Sequence, residues 1–125
     1  MKALLTLTTY IQTGTTKTFN APRNAWLVGI DFAVQFDSVL DNEASYVCVS
    51  RRSNGGVLVD DTDGLIACVR ATNNLVTSGM FQGSPNKWVR LPEPGIYLPS
   101  TVPLYVVSGG TGLMSSNVTI YLRPS

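Results

Sequence analysis

Over residues 26–37 the chain reads Trp-Leu-Val-Gly-Ile-Asp-Phe-Ala-Val-Gln-Phe-Asp, with Ala25 before it. Successive side chains of an extended strand point to opposite faces, so this pattern has the period of a strand and not of a helix. Trp26, Val28, Ile30, Phe32, Val34 and Phe36 fall on one face. Leu27, Gly29, Asp31, Ala33, Gln35 and Asp37 fall on the other. Burying the first set would yield a gross transfer gain on the order of 10 to 18 kcal/mol, at about 1.5 to 3 per side chain. That figure is an upper bound, because denatured chains are already partly collapsed. The stretch is therefore expected to be the central strand of the domain, with the rest of the chain arranged to cover its apolar face.

The remaining pattern is a series of short extended runs separated by Gly, Pro, Asn and Asp. Residues 4–12 alternate, with Leu5, Leu7 and Thr9 opposite Leu4, Thr6, Thr8 and Tyr10, and Gly14 ends the run. A short strand over 15–20 stops at Ala21-Pro22-Arg23-Asn24, since proline cannot join a central ladder. Beyond the central stretch, strands are predicted over 44–52, 57–59, 65–71, 87–91, 95–98, 104–108 and 118–123, with 75–81 weakly strand-like. Ser53-Asn54-Gly55-Gly56 supplies residues that tolerate positive φ and reads as a hairpin turn. The stretch 109–117, rich in Gly and Ser, reads as a flexible loop between the last two strands. No segment of ten residues shows a capped helical period. About eight short strands with such turns predict an all-β fold, an antiparallel β-sandwich with a jelly roll as the first expectation.

Length and composition refine this picture. A chain of 125 residues fits one domain, spanning 1–125, without staples. Charged residues are only 14% of the sequence, where soluble domains usually carry about 25%. A surface so poor in charge suits a protein much of which is covered by partners. The net charge of +1 provides no electrostatic footprint for nucleic acid or an anionic membrane. No apolar run reaches the length of a membrane span. Lys2 opens like a secretion signal, but Thr6, Thr8 and Thr9 interrupt the apolar run, so the amino end reads as mature protein.

The candidate chemistry is sparse. Without histidine in the chain, a Ser or Cys nucleophile lacks its usual base, and a carboxylate pair among the eight acidic residues is the weaker enzymatic alternative. Cys48 and Cys68 are the only cysteines. Each sits in a strand-like run and reads first as a buried thiol, with a disulfide as the alternative. Too few ligands remain for zinc. The run Asp60-Asp61-Thr62-Asp63-Gly64 offers hard oxygens for calcium but lacks EF-hand spacing, so it reads as a solvated turn. Gly109-Gly110-Thr111-Gly112 has no following Lys-Ser/Thr and reads as a loop, not a phosphate cradle. Arg51-Arg52 reads as a solvated tip or an interface pair. Asn117-Val118-Thr119 matches a glycosylation acceptor only formally. No catalytic residue, cofactor or metal is expected. Trp88, Tyr97 and Tyr105 are the candidate ligand or interface aromatics, set against the alternative that they complete the core. Leu4, Leu5, Leu7 and Tyr10 are the candidate interface residues of an amino-terminal arm, residues 1–18, that adds to a neighbour's sheet edge.

Residues 87–98, Lys-Trp-Val-Arg-Leu-Pro-Glu-Pro-Gly-Ile-Tyr-Leu, followed by 99–107 and 118–122, resemble small jelly-roll structural proteins of tailed and other bacteriophages. The resemblance covers roughly the last third of the chain and lies in phrasing rather than in one diagnostic motif. It implies a non-enzymatic virion protein, assembled in the host cytoplasm, that decorates or cements a capsid, commonly as a trimer. Its partners would be capsid or other virion proteins. A carbohydrate- or receptor-binding module of a spike or fibre is the alternative.

Overall fold

The computed structural model describes residues 4–12, 14–38, 44–52, 64–72, 86–110 and 113–125. Among the described residues nine strands run in chain order: β1 (Leu5–Gln12), β2 (Thr16–Phe19), β3 (Ala25–Ser38), β4 (Ala44–Ser50), β5 (Leu65–Thr72), β6 (Asn86–Arg90), β7 (Ile96–Leu98), β8 (Leu104–Gly110) and β9 (Leu113–Pro124). The strands expected at 57–59 and 75–81, and the acidic turn at 60–63, lie outside the described residues.

The fold is an antiparallel β-sandwich. One sheet has the order β1-β9-β3-β6, with β7 also paired to β3, and the other has the order β2-β8-β4-β5. The antiparallel pairs β1 with β9, β2 with β8, β3 with β6 and β4 with β5 are nested in sequence, as if one long hairpin had been folded. Further pairing of β9 with β3 and of β8 with β4 gathers this ribbon into two sheets. Leu27, Ile30, Phe32, Val34, Val118, Ile120 and Leu122 from the first sheet meet Val47, Val49, Leu104 and Val106 from the second in one buried cluster. The Lys87 ammonium donates to the Cys68 carbonyl at 2.9 Å and so ties the β6 edge of one sheet to the β5 edge of the other.

As expected, β3 is central, lying between β9 and the end-to-end pair of β6 and β7. Its inward face, however, is not the one that strict alternation gives. Ile30, Phe32 and Val34 are buried as predicted, but Ala25 and Leu27 fill the core while Trp26 and Val28 are only partly buried. The cause is a register shift against β9 between Leu27 and Gly29. A bulge inserts one residue, and a one-residue slip exchanges the faces of everything beyond it. The bulge falls where the partner of β3 changes: Leu27 pairs with Ile96 of β7 and Gly29 with Arg90 of β6. The Val28 carbonyl at the junction accepts the Leu91 amide at 3.0 Å.

The turn that makes this change possible is Pro92-Glu93-Pro94-Gly95. It contains a cis Glu93–Pro94 peptide and is closed by the Gly95 amide on the Pro92 carbonyl at 2.7 Å. Gly95 has φ of +98°, and a Cβ there would meet the Leu27 carbonyl oxygen. Only glycine takes this conformation without steric cost. Gly95→Ala should therefore destabilise the domain by about 1 to 3 kcal/mol, a loss to be read in urea denaturation. An unchanged midpoint would contradict the assignment of this turn.

The loop expected over 109–117 is instead largely strand. Gly109 and Gly110 pair with Tyr46 and Ser45 of β4, and Leu113 to Asn117 continue β9 along β3. Glycine serves here as a space, because a Cβ at Gly109 would run into the Tyr46 ring, 2.6 Å from its Cζ.

Candidate functional site

The outward side of the β1-β9-β3-β6 sheet carries the candidate site. Along β9, Val118, Ile120 and Leu122 are buried while Thr119, Tyr121 and Arg123 are only partly so. The ladders then set outward residues in rows. One row is Thr6, Tyr121, Gly29 and Arg90, and the next is Thr8, Thr119, Asp31 and Trp88. The Thr8 and Thr119 hydroxyls share a hydrogen bond of 2.9 Å within that second row.

Trp88 is 55% exposed, which removes the alternative that it completes the core. Its ring leans from its own row over Gly29, and a Cβ at Gly29 would come 2.9 Å from Trp88 Cζ2 and closer still to its neighbour Cη2. It also meets Tyr121 edge-on, with ring centroids 5.1 Å apart and an interplanar angle of 84°. The missing side chain at Gly29 is thus what lets the indole lie along the sheet. Beside it is an open cleft of about 310 Å³ lined by Leu4, Val28, Trp88, Arg90, Leu91, Glu93, Tyr121 and Arg123.

Charge in the cleft is arranged asymmetrically. Arg123 Nη1 lies 3.3 Å from Glu93 Oε2, and Nη2 donates to the Pro94 carbonyl at 2.9 Å. This exposed pair adds little stability, but it anchors the turn over the cleft and fixes the Arg123 guanidinium. Among the described residues the Arg90 guanidinium has no ion pair or side-chain hydrogen bond. It is therefore a cation available beside two aromatic rings.

The predicted residues divide between this face and other places. Leu4 lines the cleft and is 51% exposed, and Tyr10 is equally exposed on the outer side of β1, where the Gln12 side-chain amide donates to its hydroxyl at 3.4 Å. Leu5 and Leu7 point the other way and pack against the core. The segment 4–12 itself lies along β9 of the same chain, and no described strand pairs with its other edge. Tyr97 is exposed on this outward side and stands edge-on to Trp26 at 5.1 Å, opposite it in the ladder. Tyr105 belongs to β8 in the other sheet, paired with Thr18 and Ser50, and is not brought together with Trp88 or Tyr97. Arg51 and Arg52 are exposed after β4.

Sequence reasoning missed Arg90, Glu93, Tyr121 and Arg123 as members of the site. The signal for two of them was available, since the alternation Val118, Ile120, Leu122 inward leaves Tyr121 and Arg123 outward. Nothing local marks that they converge on Trp88.

The Gly29–Trp88 contact has a measurable consequence. In Gly29→Ala the indole must leave its place, but the obstructing atoms are the far end of a half-exposed side chain. The variant should therefore lose less than about 1 kcal/mol of stability while its tryptophan emission and near-ultraviolet circular dichroism change. A wild-type spectrum would mean that Trp88 does not rest on Gly29.

The sequence matches no known family model and has no significant relative among curated proteins.

Proposed function

We propose that the chain is a non-enzymatic virion structural protein of the capsid decoration or cement kind, which docks the outward face of its β1-β9-β3-β6 sheet onto a neighbouring virion protein. The observation that carries this reading is the composition of that face: Trp88, Tyr121, Tyr97 and Trp26 gathered with Arg90 and Arg123. Trp, Tyr and Arg are the residues that dominate binding energy where proteins meet, and they do so from well-packed, water-excluding centres. A half-exposed indole already held against Tyr121 loses little conformational freedom on association.

The nested strand pairing supports a jelly roll as the finer description, since a long antiparallel hairpin rolled into two sheets is what that fold requires. The resemblance of residues 87–98 and the following strands to phage jelly-roll proteins points in the same direction. A trimer fits the outer edge of β1, which no described strand covers and where a neighbouring copy can add a strand. Exchange of residues 1–18 between copies would keep the same β1–β9 contacts while linking the subunits.

The test is density-gradient banding of purified phage particles from the host that carries the gene, probed with an antibody to this chain. The reading expects the chain to band with particles at a fixed copy number. Finding it only in the soluble fraction, with none on particles, would contradict it.

A carbohydrate-binding role is the second reading, and the cleft is the observation that favours it. An exposed tryptophan face stacks on sugars, and Arg90, Glu93 and Arg123 supply polar groups around it. Saturable binding to a glycan array, lost in Trp88→Ala, would favour this reading over docking on protein.

A further inference from the structure

Cys48 and Cys68 stand on adjacent antiparallel strands as direct partners in the β4–β5 ladder. Residues so paired have Cα atoms about 4.5 to 5.5 Å apart, inside the range of about 4.4 to 6.8 Å that a disulfide spans. Their sulfur atoms already approach to 2.8 Å, so the side chains point at each other. Cys48 is buried, whereas Cys68 is partly exposed. Cys68 is thus the residue of the pair with surface open to solvent.

We propose that Cys48 and Cys68 are a built-in cross-strand disulfide site, closed by a small disulfide oxidant such as glutathione disulfide. In the first step the Cys68 thiolate attacks one sulfur of the oxidant, its S–S bond breaks, and one glutathione leaves as the thiol. In the second the Cys48 thiolate attacks the Cys68 sulfur of the mixed disulfide and expels the second glutathione. Two protein thiols are oxidised and one disulfide is reduced to two thiols, which take up the two protons. The inference is independent of the function proposed above, because it rests on the ladder, the sulfur contact and the burial of the two cysteines. Its structural effect follows from position: β5 has β4 as its sole neighbour in the described sheet, so the bond staples an edge strand to the strand beside it. It also closes a loop between residues 20 apart in sequence, which restricts the unfolded chain.

The experiment uses the native full-length protein, incubated separately with glutathione disulfide and with diamide, followed by thiol titration and peptide mapping by mass spectrometry. Both thiols should disappear, with no glutathione retained and a single intrachain Cys48–Cys68 peptide recovered. The melting temperature should rise by about 5 to 10 °C and return on addition of dithiothreitol. In Cys48→Ser, glutathione should stay on Cys68, because the resolving thiol is gone. Two titratable thiols after both treatments, a lasting glutathione adduct on wild-type Cys68, or crosslinks only between chains would each overturn the proposal.

Discussion

Phe32→Ala should cost the domain about 3 to 5 kcal/mol, the range for deleting a fully buried phenylalanine. Phe32 has no exposed surface and lies in the central strand, with Val118 of β9 on one side and Lys87 of β6 on the other. Its ring reaches the cluster shared by both sheets, so its removal leaves a cavity that neither sheet can close alone. Domains of this kind have only about 5 to 15 kcal/mol in total, and the melting temperature should fall by roughly 10 to 20 °C. Urea denaturation should show a lower midpoint with an unchanged slope. A loss below about 1 kcal/mol would place Phe32 outside the core and would undo the two-sheet packing described above.

Trp88→Ala should have the opposite profile. The indole is more than half exposed, and its loss removes one edge-on contact with Tyr121 without opening the core. Stability should fall by about 1 kcal/mol or less, a few degrees of melting temperature. If the outward face docks as proposed, association with particles should fall at least tenfold, because an exposed tryptophan of the kind seen here is a typical hot spot once an interface covers it. Arg90→Ala should weaken the same association, whereas Tyr105→Ala, on the other sheet, should leave it unchanged. The comparison is made by titrating each variant onto particles stripped of the chain. Equal affinity of Trp88→Ala and wild type would remove the outward face from the account.

The contrast between these two aromatic residues marks what could be read from the sequence. Strand positions follow from the period of two, and β1, β3, β4, β5, β6 and β8 lie close to where alternation puts them. Phe32 could be assigned to the core because Asp31 and Ala33 flank it. Alternation assigns Trp26 to the same face, yet it is only partly buried, because Trp26, Leu27 and Val28 are all apolar and the pattern there has no phase. The bulge that sets the phase is made by pairing partners some 60 to 95 residues away in the chain, which periodicity does not contain. Gly109 is misread for a related reason. It looks like loop punctuation, yet its role is to leave room for Tyr46 on the next strand. Gly29, which alternation only places on the face opposite Ile30, is the bed of Trp88.

The site itself was legible only as one exposed aromatic among several. Its cleft draws on the start of β1, the β3 bulge, the β6–β7 segment and the end of β9, which the nested pairing brings to one side of one sheet. Tyr105 shows the limit from the other direction: it is as aromatic as Tyr97, yet it lies in the opposite sheet. Pairing, not composition, decides which of them share a surface.

Hydroxyl-radical footprinting of the chain, free and bound to particles, tests the central claim most directly, because it reads which sheet face becomes covered. The account predicts strong protection of Trp88, Tyr121 and Leu4 on binding, with Tyr105 as reactive as in the free chain. Protection of Tyr105 with Trp88 unchanged would contradict it.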